Sequence, residues 1–520
     1  MKRTNFISYA TAICFSVFIF LNLILICTTA YAKRSSKLSE YSYIYLLLGL
    51  ALFAIISAVI FFKRKRITKI LSKIDIGAII LLSVILFATQ AILYYNIYFQ
   101  TGWDPEYIFR NIIAYANGDK LPGGYIGYFS RYSNNVFLVV AYSKLFSVLI
   151  SLGITSPFAL LYCGILIQSA LSSVTGYLIF RILQKELNNV FAFFGWTLFV
   201  FLVGLSPWNI VLYSDATTLI IPTVLLRLYQ LIQNDKYVYL KWCAIGILTV
   251  LGLKLKPQSM IITIAIIMVD FVLSMERGKN LLLFKRLGTF AVSTVVIFSL
   301  VSGLLKLSPY KYDSAHAFSP AHYFMMGLNE KTVGGYSEDD VKYSQGFTDY
   351  EKRAKSNFIV AKDRLKDFGV FGLAKHLAKK AVKTYSDGTF GWSGEGTFYK
   401  TVLPEKNDTL SPFLRSIFYK DGKYYSVYKS IMQAVWLAML FSSLGIIPYF
   451  VFNKPSRTLT VLILSLIGLT MFQLLFETRA RYLYIYSPFF VMLSIFGWLG
   501  LYYLARHISK YFRRFSKNLP

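Results

Sequence analysis

Trp103-Asp104-Pro105-Glu106-Tyr107 follows directly on an apolar run that ends near Phe99. A carboxylate at that place meets water yet lies close to lipid headgroups, where it can take a proton from an acceptor hydroxyl as a general base. Asp104 is the first choice for that role and Glu106 the substitute. Alone, such an acid reads more simply as a helix N-cap or a solvated loop residue. Asp215, after Tyr213-Ser214 at the start of another run, has the same plain reading. Arg479 and Arg481 lie in Glu477-Thr478-Arg479-Ala480-Arg481-Tyr482-Leu483, just before the last apolar run, and Lys254 and Lys256 close another. An arginine holds a phosphate through two parallel hydrogen bonds, so Arg479 and Arg481, with Lys256, are candidates for binding a phosphate at headgroup depth. Snorkelling to lipid headgroups is the plainer alternative.

Tyr107, Arg131, Tyr132 and Glu477 complete the candidate substrate contacts in these segments. Trp392 and Glu395 join them from the stretch SDGTFGWSGEGTF (386–398), whose glycines and aromatics suit an ordered loop over a site. His316 and His322 lie six apart without a second pair and read as ordinary polar loop residues. Cys14, Cys27, Cys163 and Cys243 each sit inside an apolar run. They read as small packing residues and form neither a disulfide framework nor a thiolate metal cluster.

The elements that must position these residues are membrane spans. The chain has 520 residues, 56% hydrophobic and 15% charged, with mean hydropathy +0.53. Globular domains carry about a quarter charged residues, so a soluble fold is excluded. The net charge of +30 does not point to nucleic acid, because the basic residues stand in bursts between apolar runs, such as Lys63-Arg64-Lys65-Arg66 and Arg513-Arg514. Anionic lipid accounts for that placement.

A span needs about twenty apolar residues to cross roughly 30 Å of hydrocarbon. Runs near 6–31, 41–62, 74–98, 155–180, 188–207, 215–233, 237–255, 257–275, 287–305, 429–452, 458–475 and 482–505 qualify. The expected fold is therefore an all-α polytopic membrane protein with about twelve spans. Residues 63–73, with six basic residues in eleven positions, belong on the cytoplasmic side. If 134–153 also crossed, the basic tail (Arg506, Lys510, Arg513, Arg514, Lys517) and the cluster Arg277, Lys279, Lys285, Arg286 would end outside. Laid on the outer surface as an amphipathic helix, it leaves both clusters and both termini inside. Lys2-Arg3, the first run and Ala30-Tyr31-Ala32 also resemble a signal peptide, although the run is long for one.

This topology divides the chain into two N-terminal spans (1–73), a membrane module (74–305) with its first outer loop at 99–154, a large outer loop (306–428) and the C-terminal spans with a basic tail (429–520). Residues 352–383 carry helical periodicity. A loop of about 120 residues is too long for a mere connector. No phosphate-binding GxxxxGK[ST] and no dinucleotide fingerprint occurs, so chemistry belongs to the outer face of a cell membrane. The cysteine-free large loop and Lys- and Ile-rich usage suit a bacterium.

The order of these features resembles the GT-C superfamily of polytopic glycosyltransferases, related to protein mannosyltransferases and aminoarabinose transferases. The features are the WDPEY acid, an Ala-rich surface helix ending in Gly118, the aromatic-Arg131-Tyr132-x-Asn134-Asn135 entry to a second surface helix, the Tyr213-x-Asp215 turn and the late Glu477-x-x-x-Arg481-Tyr482-Leu483. The resemblance covers 74–305 and 458–505. It implies inverting transfer of a sugar from a polyprenyl-phosphate donor to a cell-wall or teichoic-type glycan. Asp104 would be the base, and Arg479, Arg481 and Lys256 would hold the donor phosphate, with no metal or other cofactor expected. Three departures stand out. Two spans precede the usual first one, Pro105 separates acids that are often adjacent, and 306–428 matches no subfamily. Rival readings are a glycan polymerase or ligase, with its key arginines and histidine in the large loop, and a lipid-linked-sugar flippase or transporter, with ionisable residues inside the spans.

Overall fold

The computed structural model describes residues 3–232, 237–276, 278, 280–311 and 313–517, with side chains from Phe6 to Tyr511. Lys2, Arg277, Lys279 and the side chains of Arg3, Arg513, Arg514 and Lys517, used above for sidedness, lie outside them. The described residues are helical almost throughout, and among them ten helices are long and apolar enough to cross a membrane. They are Phe6–Thr28, Ser42–Phe62, Ile76–Ile97, Pro157–Glu186, Val238–Leu255, Pro257–Glu276, Asn280–Lys306, Tyr425–Phe452, Arg457–Leu475 and Ala480–Tyr511. Their outer faces carry exposed Leu47, Leu48, Ile80, Leu81, Val292, Val295 and Leu304. Lipid is the solvent such faces require.

Two of the twelve expected spans come out shorter. The run 188–207 forms Asn189–Phe199 continued by a π-turn at Val200–Gly204, and 215–233 forms the five-residue helix Ser214–Thr218 followed by Ile220–Leu231. Sixteen residues (189 to 204) rise about 24 Å, less than a bilayer core. The pair still runs the depth of the bundle. Asn189 donates to the Ser72 and Ile74 carbonyls at one end of helix Ile76–Ile97, and the Gly204 carbonyl accepts from Gln90 and Tyr94 near the other. Gln230 then returns to the Ile182 carbonyl. Between the two segments the irregular backbone from Pro207 to Tyr213 is sealed by protein, with Asn209 donating to the Tyr94 hydroxyl at 2.9 Å. Non-helical backbone at such depth survives only where protein satisfies it.

The helix Arg3–Thr28 is central. It touches Arg457–Leu475, Tyr425–Ser443 and Ser42–Phe62, buries Phe15, Ile19 and Ile26, and joins Ser8 to Thr460 at 2.7 Å. Lipid gives helices little reason to associate by apolar burial, so close packing must do it. Gly445 and Gly497 show how: a β-carbon on either would collide with backbone of the facing helix, at the Gly497 and Ser442 carbonyls respectively.

The helix Asn135–Ser151 lies parallel to Trp103–Asn117. Ser143 and Ser147 donate to the carbonyls of Ile112 and Ala116, each 31 residues earlier, and this constant offset sets the direction. Tyr142 meets Thr217 at 3.1 Å, so the helix sits at the end of the bundle that carries Asp104.

The segment 306–428 divides in two. Its first part builds a cap of helices Pro320–Gly327, Glu338–Gln345 and the start of Tyr350–Tyr385, around Met325, Leu328 and Ala361. The long helix matches the periodicity of 352–383 but breaks at Gly369, where φ is 55°. The second part is woven into the bundle. The Tyr385 carbonyl receives Trp436, and the Thr389 carbonyl receives Trp208. The strand Tyr399–Val402 pairs antiparallel with Phe99–Thr101.

Candidate functional site

That strand pair places Asp104. Gly102, one residue past the strand, donates its N–H to the Thr397 carbonyl at 2.9 Å, and a β-carbon there would strike that carbonyl. Trp103 follows at φ 52°, in the left-handed region, and the helix Trp103–Asn117 starts. A non-glycine residue held so needs surrounding structure to fix it. Asp104, Pro105 and Glu106 fill the first turn, where proline lacks only an N–H the helix does not use and acids meet the positive end of the dipole.

Asp104 is half-buried and accepts from the Tyr213 hydroxyl at 3.4 Å and from the Tyr128 hydroxyl. Tyr128 in turn accepts from Asn135 at 3.0 Å. Burial first, and the Asp104 charge after it, keep both hydroxyls protonated well above the usual tyrosine range, so both stay donors. The Asp104 charge also acts on Tyr132, Tyr323 and Tyr336, and on Arg479 and Arg481. Among the described residues no cation forms an ion pair with Asp104. Glu106 faces Lys400 at 3.9 Å, a half-exposed pair of little energetic weight.

Beside Asp104 runs a ladder of alternating charge. Asp215, 3% exposed, binds Lys256 on one side and Arg481 at 3.1 Å on the other. Arg481 approaches Glu395 at 3.6 Å, Glu395 pairs with Arg479, and Arg479 reaches Glu477 at 2.8 Å. Lys256, Arg481 and Arg479 balance Asp215, Glu395 and Glu477, so the ladder is neutral. The Arg481 guanidinium also stacks over Trp103 at 4.6 Å and Tyr213 at 5.3 Å, tying the ladder to both sides of Asp104. Burial raises the Glu477 carboxyl, with Arg481 opposing it.

The turn that carries Glu477 and Arg479 is held from the large loop. Lys380 donates to the carbonyls of Gly327, Leu474 and Phe476 at 2.7–2.8 Å, and Thr384 meets Thr478 at 3.0 Å.

The structure therefore gathers Asp104, Asp215, Lys256, Glu395, Glu477, Arg479 and Arg481 at one end of the bundle, with Tyr132 at the edge against Tyr128 and Phe318. Tyr107 packs on Tyr128 behind them, and the buried Arg131 Nε makes no hydrogen bond among the described residues. Trp392 lies deeper, in a cluster with Phe99, Trp208 and Phe398, its indole donating to the Phe418 carbonyl. Lys256 is committed to Asp215 rather than open to a ligand, and Arg481 gives Asp215 one terminal nitrogen while its Nε makes no hydrogen bond among the described residues. The tyrosine donors Tyr128 and Tyr213 were not among the expected site residues, although both flank motifs that were.

The family model for conserved hypothetical integral membrane proteins matches residues 3–500. The chain belongs to that family. The match takes in nearly all the helices described here, so the family's membrane character and this bundle coincide. No curated protein matches the chain.

Proposed function

We propose that this membrane protein is an inverting glycosyltransferase of GT-C type, moving a sugar from a polyprenyl-phosphate donor to a hydroxyl of a cell-wall or teichoic-type glycan outside the cell membrane. One observation carries the reading: Asp104 is held by tyrosine donors and, among the described residues, pairs with no cation, at the end of the bundle where the arginines lie. In the proposed step Asp104 takes the acceptor hydroxyl proton while that oxygen bonds to the anomeric carbon. The bond from this carbon to the donor phosphate oxygen breaks with its electron pair, and Arg479 faces the charge gathering on the phosphate. The residues assign no role to a metal. Tyr128 and Tyr213 orient the base.

The polymerase or ligase reading needs arginines and a histidine of the large loop within reach of substrate. Of the loop's candidates, His322 and Arg353 are 0% and 1% exposed, with Arg353 spending its guanidinium on the carbonyls of Ser344, Ala315, Ala317 and Phe347, whereas His316 is half-exposed and pairs with Asp313 at 2.7 Å. Sidedness is checked by replacing exposed Arg110 with cysteine in a chain lacking its four native cysteines. An impermeant thiol reagent should label it in intact cells, and protection of that cysteine would reverse the orientation. The transfer itself is tested by Asp104→Asn with envelope glycan composition as readout. Loss of one glycan substituent is expected, and unchanged composition at normal protein level would sink the assignment.

A further inference from the structure

Glu395 occupies an unusual place for a loop residue. Its carboxylate pairs with Arg479 and lies 3.6 Å from the Arg481 Nε. It rides on a tightly turned segment, with Gly391 at φ 74°, Ser393 at φ 60° and Gly396 at φ 42°. Gly396 rests on Trp103, the residue before the proposed base. Two N–H donors at this corner are buried and lack a hydrogen-bond partner among the described residues: Nε of Arg481, a residue only 5% exposed, and Nε1 of Trp103, whose ring lies under that guanidinium. A buried donor left unmade costs free energy, and a charged one costs more. An oxyanion with several acceptor oxygens would satisfy both and would pair with Arg479 at the same time.

We propose that Arg479, Arg481 and Trp103 form a phosphate subsite and that Glu395 is its built-in, exchangeable occupant. An incoming phosphate monoester or diester displaces the Glu395 carboxylate from Arg479, takes the unpartnered donors and frees the 391–396 loop. Lys256 stays with Asp215 and does not take part. The idea rests on the donor chemistry proposed above and names which cation serves it. With Glu395 in place the corner is charge-balanced, and exchange of one anion for another keeps Arg479 paired throughout, which avoids a bare buried cation.

The test is binding, read without any sugar transfer, with the full chain in phosphatidylcholine nanodiscs and two probes, decaprenyl phosphate and inorganic phosphate. Glu395→Gln should bind decaprenyl phosphate about tenfold tighter than the unsubstituted chain, and Arg479→Gln at least tenfold weaker, since each change alters one charge-assisted contact. Competition by inorganic phosphate would show that the phosphate group alone is recognised. Lipid binding that remains dependent on Glu395 and Arg479 without such competition would place the same site in contact with the polyprenyl chain too. Equal or weaker binding by Glu395→Gln, or unchanged binding by Arg479→Gln, overturns the proposal. In the unsubstituted chain, which carries no folding risk, hydrogen exchange of the 391–396 segment should quicken on adding decaprenyl phosphate. Unchanged or slower exchange also overturns it. Asp104→Asn should end transfer but leave this binding in place, so the two claims fail separately.

Discussion

The region around Asp215 and the region around Asp104 share one end of the bundle and are bridged by Tyr213, yet their carboxylates are built for opposite ends. Asp215 is almost wholly buried and held between Lys256 and Arg481. Asp104 is half-buried and meets only hydroxyl donors, 3.4 Å away in the case of Tyr213. Each oxygen of Asp215 is engaged by a cation, Lys256 on one and Arg481 on the other, so neither is open to a substrate hydroxyl. Asp104 is oriented by neutral hydroxyls and forms no ion pair with a cation among the described residues. Burial between two cations makes Asp215 a structural keystone, and the absence of an ion pair among the described residues is why Asp104 is proposed as the working acid.

The largest expected effect is on the keystone. Asp215→Leu leaves Lys256 and Arg481 buried without their shared counter-ion, and breaking such a pair costs about 3–5 kcal/mol. Membrane levels and thermal stability of that variant should collapse. Near-normal melting in detergent would show that the ladder is not what holds this end together. Tyr213→Phe comes next. It removes one donor from Asp104 while keeping the ring under Arg481, so transfer should slow about tenfold with little change in melting temperature. A loss of stability without a loss of rate would move Tyr213 to the Asp215 side of the comparison.

The smallest effect belongs to a third buried polar cluster, in the cap. His322 meets Ser344 at 2.7 Å, with Asp340 and Arg353 nearby, and burial pushes its imidazole down to about 4 from 6.5. Because the unfolded chain binds the proton more readily between those values, stability is fully present above about 6.5 and falls as pH drops towards 4. Melting temperature should therefore decline between about pH 7 and 5, and His322→Gln should flatten that decline. An equal slope in both proteins would put the acid sensitivity elsewhere, for instance at the ladder.

Much of the fold was legible because a lipid solvent writes itself into apolar runs. Ten of the twelve expected spans are long helices, and the stretch 134–153 stands with Asp104 at one end of the bundle. The two shortened segments were not legible, since composition reports that a residue is apolar and not whether lipid or protein covers it. The first helix, expected as a span, packs against helix Arg457–Leu475, with Ser8 meeting Thr460. At the candidate site, the residue types named segments that meet at one end of the bundle, but partners did not follow from spacing. Arg481 and Asp215 are 266 positions apart, and no periodicity links them. For the same reason Glu395 read as a substrate contact, when its nearest company is Arg479.

The central claim, that Asp104 works while Asp215 holds, is tested most directly by one paired measurement. Asp104→Asn and the unsubstituted chain are purified side by side and compared for melting temperature and for transfer of sugar from a polyprenyl-phosphate donor. The account predicts matching melting curves and transfer reduced by at least about a thousandfold, the scale of losing a general base. Retained transfer with an intact fold would contradict it.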